Sequence, residues 1–172
     1  MYKSGVSDPS LARFHRAVAA ACAALEERRQ EVNDLNVFPV ADGDTGDNMA
    51  MTLRAVLDTL DGMNGQPLDP GRDEIVSAVA RASLLGARGN SGVILSQIVR
   101  GAAEELASRP GELIDPVLVS AAFARAADAA YDSVRDPAEG TMLSAVRAMA
   151  HRVAQDLAHM QTQRLGPEAT AA

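Results

Sequence analysis

The stretch ASLLGARGNSGVILSQIVRG (82–101) reads as a helix, a tight loop and a second helix. Gly86, Gly89 and Gly92 interrupt an otherwise helical apolar pattern, and each glycine costs a helix interior about 1 kcal/mol relative to alanine. Working outward, the same alternation of amphipathic run and breaker spans the chain. Upstream, a helix is expected from about Arg72 to Leu85, after the loop DGMNGQPLDPG (61–71). Before that loop, another runs from about Thr45 to Leu60 with Met49, Leu53, Val56, Leu57 and Leu60 facing inward. The first expected helix runs from Pro9 to about Val32 on Leu11, Phe14, Val18, Cys22 and Leu25, with Asp8 and Pro9 as capping acid and first-turn proline. Downstream, the pattern resumes to about Ala107 and stops at Arg109-Pro110-Gly111. Asp115-Pro116 repeats the cap-and-proline start for a helix to about Val134. After DPAEG (136–140), a last helix carries Leu143, Val146, Met149, Val153 and Leu157 on one face. The expected fold is all-α, about six antiparallel helices in one domain over residues 9–163, between a flexible N-terminus, 1–8, and a disordered tail, 164–172.

Composition agrees and narrows the function. Of 172 residues only 3% are aromatic, and tryptophan is absent, while good helix formers dominate. Lysine occurs once, at Lys3, which removes Walker-type, Schiff-base and kinase strand lysines from the body of the chain. A net charge of −7 opposes nucleic acid as a partner, because backbone binding needs a basic stripe. Cys22 is the only cysteine, which excludes an internal disulfide and a cysteine zinc site; it reads as a small buried hydrophobe, and a cytoplasmic location is expected. No apolar run reaches the length of a membrane span, and MYKSGVSDPS lacks the apolar core of a signal peptide.

The charge is segregated. From Asp34 to Asp61 six aspartates face one arginine, a net of −5, while Ile75 to Arg100 holds Arg81, Arg88 and Arg100 and no acid. The acidic segment centres on NVFPVADGDTGDNM (36–49), where Asp42 and Asp44 flank a glycine just before a helix and Phe38 and Pro39 are expected to anchor the loop. Adjacent carboxylates repel unless a cation lies between them, and hard oxygen donors suit magnesium or calcium. An EF-hand is excluded, since its fifth, sixth and twelfth positions are Gly46, Asp47 and Leu53. Aspartates also gather at plain turns and helix caps. GARGNSG (86–92) places glycines and a hydroxyl ahead of a helix, as phosphate cradles do, and equally suits a simple helix-to-helix turn. Thr141 in EGTML (139–143) suits either an N-cap or a phosphate contact. His15, His151 and His159 lie within expected helices without a metal-binding pattern.

Together, LNVFPVADGDTGDNM, ASLLGARGNSGVILSQIVRG and EGTML resemble the DAK2/DhaL-type nucleotide-binding domain shared by the dihydroxyacetone kinase L subunit and the N-terminal part of bacterial fatty acid kinase A. The likeness runs from about Leu35 to Leu143, and its spelling is closer to the fatty acid kinase branch. It implies a closed antiparallel helical barrel with nucleotide at one end. It further implies ATP/ADP with two magnesium ions held by Asp42 and Asp44, and Asn36 where the dihydroxyacetone branch has an aspartate. Thr45, Gly46, Asp47 and Asn48 match phosphate-touching positions, as do Gly89, Asn90, Ser91 and Gly92. Thr141 and Met142 match the segment closing over the nucleotide, and Arg88 adds charge stabilisation. Asp47 stands where the family has a small or neutral residue. Family domains continue to a glycine-rich segment not found here, so a truncated member, or one completed by another chain, is expected. The implied activity is phosphoryl transfer, with a fatty acid presented by a separate binding protein as acceptor, or a triose or carrier-bound adenosine diphosphate. Further kinase domains and a homo-oligomer are compatible with it. The alternatives are a regulatory or partner-binding helical subunit with an incomplete nucleotide site, or a metal-dependent phosphohydrolase.

Overall fold

A computed structural model of the chain describes residues 9–37, 40–63, 71–108 and 114–165. These fold into seven helices and no strand: α1 (Pro9–Glu27), α2 (Arg29–Asp34), α3 (Thr45–Met63), α4 (Arg72–Gly86), α5 (Gly89–Ala107), α6 (Pro116–Asp132) and α7 (Met142–Leu165). Side-chain pairings show the directions. His15 reaches Asp61 while Glu26 meets Arg54 and Arg29 meets Asp47, so α1 and α2 run antiparallel to α3. Gly86 lies against Ala55, at the opposite end of α4 from the Ile75 and Val79 that pack with Val56 and Leu60, which makes α4 antiparallel to α3. Gly89 and Gly92 meet Asn48 and Thr52 in the same order, so α3 and α5 are parallel neighbours. The result is an up-and-down helical array in which α3, α5 and α7 begin at one end.

The core follows from this arrangement. Val56, Leu60, Ile75 and Val79 form one buried cluster, flanked by Phe14, Val18, Met63 and Val99. A second joins Ala127 and Ala130 of α6 to Leu143, Val146 and Ala150 of α7, with Ile94 and Ile98 of α5 against it. Each fully buried leucine or valine contributes about 1.5–3 kcal/mol. Alanines let α6 approach its neighbours closely: at Gly101 an added Cβ would lie 2.6 Å from the Arg125 carbonyl oxygen and 2.7 Å from Ala129 Cβ.

Two expectations change. The first helix is two, because Arg28 (φ −105, ψ 13) bends the chain while keeping its bonds to Ala24 and Val32. No glycine or proline causes this; the bend lays α2 on the start of α3, where the Arg29 carbonyl meets Gly46 so closely that a Cβ would overlap it. On α7 the buried face is Leu143, Val146 and Ala150, while Met149 is 53% exposed, because the alanine surface of α6 selects the small neighbour. The Asp115 start is as expected, its carboxylate accepting from Leu118 N at 2.8 Å with proline in the first turn. α3 continues to Met63, α6 stops at Asp132, and Cys22 is buried. The expected N-terminal segment 1–8, the Phe38-Pro39 anchor, the 109–111 stop and the tail beyond Leu165 lie outside the described residues. Among the described residues no helix is long and apolar enough to cross a membrane.

Candidate functional site

The acidic loop enters α3 through Asp44, whose carbonyl accepts from Asn48 N at 2.9 Å and so closes the first helical turn. Asp42 is exposed and accepts a short hydrogen bond from the Asn36 side-chain amide, which ties two of the expected metal-binding residues together. Gly43 between the aspartates has φ +68, the left-handed turn a glycine allows. The Asp44 carboxylate has no hydrogen-bond or ion-pair partner among the described residues. Two residues that sequence reasoning missed complete this end. Asn33, 6% exposed, accepts through Oδ1 from Gly46 N at 2.7 Å and Asp47 N at 3.2 Å. Its Nδ2 donates to Asp47 Oδ2 at 3.1 Å, and Arg29 Nε pairs with Asp47 Oδ1 at 3.2 Å. Asp47 is therefore a latch between α2 and α3, its negative charge also favoured in the first turn of a helix. Its pattern of partners lies in no local motif, because all of them come from another helix.

The glycine-rich loop is as compact as the sequence suggests. Ala87 and Arg88 are extended, and α5 starts at Gly89 with φ +58. A Cβ at Gly89 would overlap the Asn48 side-chain amide, and one at Gly92 would lie 2.7 Å from Thr52 Oγ1. Absence of side chains at these two positions lets the starts of α3 and α5 lie together, which joins the two motifs in space. Ser91 is buried beneath the loop and Asn90 is exposed. Like α3, α5 receives no cap from its own N-cap side chain.

Arg88 does not face the acidic loop through a direct bond. Its Nη1 donates to the carbonyls of Ala87 at 2.9 Å and Leu85 at 3.4 Å, and it borders a groove of about 530 Å³ together with Arg29, Asp47, Met51, Arg54 and Gly86. At the α7 end, Thr141 acts as a helix cap: its carbonyl accepts from Ala145 N, and its Oγ1 accepts from Leu143 N at 3.3 Å while donating to the Ala138 carbonyl. Met142 is half-buried. Glu139 fastens this turn. It accepts from Ser144 Oγ at 2.6 Å, Tyr131 at 3.2 Å and Arg147 at 3.2 Å, and the Arg147 guanidinium stacks 3.4 Å from the Tyr131 ring centroid. The Ser144 hydroxyl, aided by Tyr131 and Arg147 against modest desolvation, holds the Glu139 carboxyl below the usual glutamate range.

The DAK2 domain matches residues 39–172, more than half of the chain, including Asp42 and Asp44 of the acidic motif and the whole glycine-rich motif. The chain belongs to the DAK2 domain family. Protein YloV of Bacillus subtilis is 35% identical to this DAK2 domain over 149 residues, 87% of the chain and 26% of YloV. An uncharacterized protein of Staphylococcus saprophyticus is 36% identical over 131 residues, 76% of the chain and 23% of that protein. One of Staphylococcus aureus is 37% identical over 123 residues, 72% of the chain and 21% of that protein. The chain thus spans about a quarter of the length of the curated relatives it matches. DAK2 domains are in general nucleotide-binding.

Whether these residues suit a magnesium ion is a question of donor chemistry. Among the described residues no three His, Cys, Asp or Glu side chains gather closely enough to form a metal site by themselves. Magnesium does not require that. It keeps several waters and is typically held by one or two carboxylates plus substrate phosphates. Two aspartates on a loop, one without a partner among the described residues, beside a helix start suited to phosphate, fit that pattern and not an all-protein calcium cage.

Proposed function

We propose that this DAK2 domain binds ATP with magnesium and passes the terminal phosphoryl group to an acceptor, a fatty acid presented by a separate binding protein. The observation that carries the reading is the apposition of Asn48 and Gly89, which sets the acidic loop and the glycine-rich helix start side by side. One side supplies the hard oxygens of Asp42 and Asp44, with Asn36 beside them; the other supplies backbone amides and the positive end of α5. In this reading Gly89, Asn90, Ser91 and Gly92 orient the phosphate chain, Thr45 and Asn48 meet it from α3, and Thr141 and Met142 close over the nucleotide. Arg88 exchanges its carbonyl partners for the transferring group. Bound magnesium supplies charge neutralisation at the β- and γ-phosphates. The protein contributes positioning and a fixed electrostatic surface, which is the larger part of phosphoryl-transfer catalysis. The motif spelling supports a fatty acid acceptor over a triose or a carrier-bound adenosine diphosphate.

Titration calorimetry with ATP, with and without magnesium, tests this on the wild type and on Asp42→Ala/Asp44→Ala. The expected outcome is magnesium-dependent binding that the double variant loses; undiminished magnesium dependence in that variant removes the metal role. One observation favours a second reading, a helical partner-binding module with an incomplete nucleotide site: Asn33 already occupies the Gly46 and Asp47 amides. It predicts no ATP binding by the chain alone and its appearance once a partner is added.

A further inference from the structure

The position of Asp44 assigns it a task that it does not perform. As N-cap of α3, it has Gly46 and Asp47 as the second and third residues of the following turn. An N-cap aspartate ordinarily turns its carboxylate onto the amides of those two residues. Here both amides donate to Asn33 Oδ1, at 2.7 and 3.2 Å. Asn33 is itself held in place, since its Nδ2 donates to Asp47 Oδ2 and the Arg29 carbonyl of the same short helix rests on Gly46. The cap is supplied from a different helix, and the Asp44 carboxylate has no partner among the described residues.

We propose that Asn33 is a positioning residue: by capping α3 from α2 it releases the Asp44 carboxylate to face a cation. This rests on the reading of Asp44 as a magnesium ligand and adds the device that makes it available. Without Asn33, the Gly46 and Asp47 amides lose their acceptor, and the nearest carboxylate able to replace it is that of Asp44. A cation must then compete with an ordinary helix cap, which weakens its binding about fivefold.

Asp44→Ala, Asn33→Ala and the double variant test this in two ways. The first is thermal unfolding in chelator, with no metal or nucleotide. In the wild-type background Asp44→Ala shifts Tm by less than about 1 °C, because the carboxylate caps nothing. In the Asn33→Ala background the same change lowers Tm by about 2–4 °C, because Asp44 has taken over the cap. A merely structural Asn33 gives equal Asp44→Ala shifts in both backgrounds, and that result overturns the proposal. So does a fall of about 2–4 °C for Asp44→Ala in the wild type, a measurement that decides the matter even if Asn33→Ala does not fold. The second readout is magnesium titration of ATP binding by calorimetry, where Asn33→Ala raises the magnesium concentration needed for half-maximal effect about fivefold and leaves binding in chelator unchanged. If the wild type shows no magnesium dependence, the metal reading fails and the released carboxylate loses its role, while the metal-free cycle still reports whether Asn33 displaces Asp44 from the cap.

Discussion

Replacing Gly89 with alanine tests whether close contact holds the two motif-bearing helix starts together. Gly89 sits at φ +58, where an L residue costs about 1–2 kcal/mol. The added methyl would also overlap the amide of Asn48, a side chain only 7% exposed and hemmed in by its neighbours, which adds about 1–3 kcal/mol of overpacking. The sum is about 2–5 kcal/mol, and for a domain of this size each kcal/mol lowers Tm by about 2–4 °C. Urea unfolding measures the loss directly. Asn48→Ala in the same chain removes the overlap and leaves the backbone strain, so the double variant should be more stable than additivity predicts by about 1–3 kcal/mol. The reasoning is refuted if Gly89→Ala costs less than about 0.5 kcal/mol, or if the two substitutions are strictly additive.

Two further outcomes follow from single groups. Because hydrogen bonding from Ser144 first, and then Tyr131 and Arg147, depresses the Glu139 carboxyl, its contribution to stability is present above the ordinary glutamate range and is lost as pH falls through the lower folded value. Tm curves of wild type and Glu139→Gln should therefore separate above about pH 5 and converge in acid, and a gap that stays constant from about pH 3 to 7 contradicts the network. Burial pushes the Cys22 thiol above its usual value, opposed by nearby Arg54, so at neutral pH it should resist alkylation until denaturant opens the fold. Rapid stoichiometric labelling of the native chain, read by mass spectrometry, is the contrary result.

The parts of the fold that depend on neighbours in sequence could be read from it. Gly86, Gly89 and Gly92 mark the turn between α4 and α5, and Asp115 with Pro116 marks the start of α6, because breakers and caps act within a turn or two of themselves. The split at Arg28 carries no such mark; it goes with the close approach of the Arg29 carbonyl to Gly46, far along the chain, where only the absence of a side chain leaves room for it. Met149 and Ala150 show the same limit, since periodicity chooses a stripe but the alanine surface of α6 chooses which of two adjacent residues faces it. At the candidate site the motif residues were visible as strings of glycine, aspartate and asparagine. Asn33 and Arg29 were not, because one asparagine and one arginine in a polar helix have no pattern until the helix is placed against α3. Thr141 shows how the two kinds of evidence meet: its position in EGTML could be picked out, and the structure gives it the capping bonds that such a threonine makes at any helix start.

The alternation of helix direction gives the molecule two ends with different tolerance for change. With α3, α5 and α7 all beginning at one end, α4 and α6 begin at the other, where neither motif lies. Gly71 and Ile114, exposed at the starts of α4 and α6, are therefore the natural places to attach a fluorophore, an epitope or a tether to a surface, leaving the paired starts of α3 and α5 free to report on whatever approaches them.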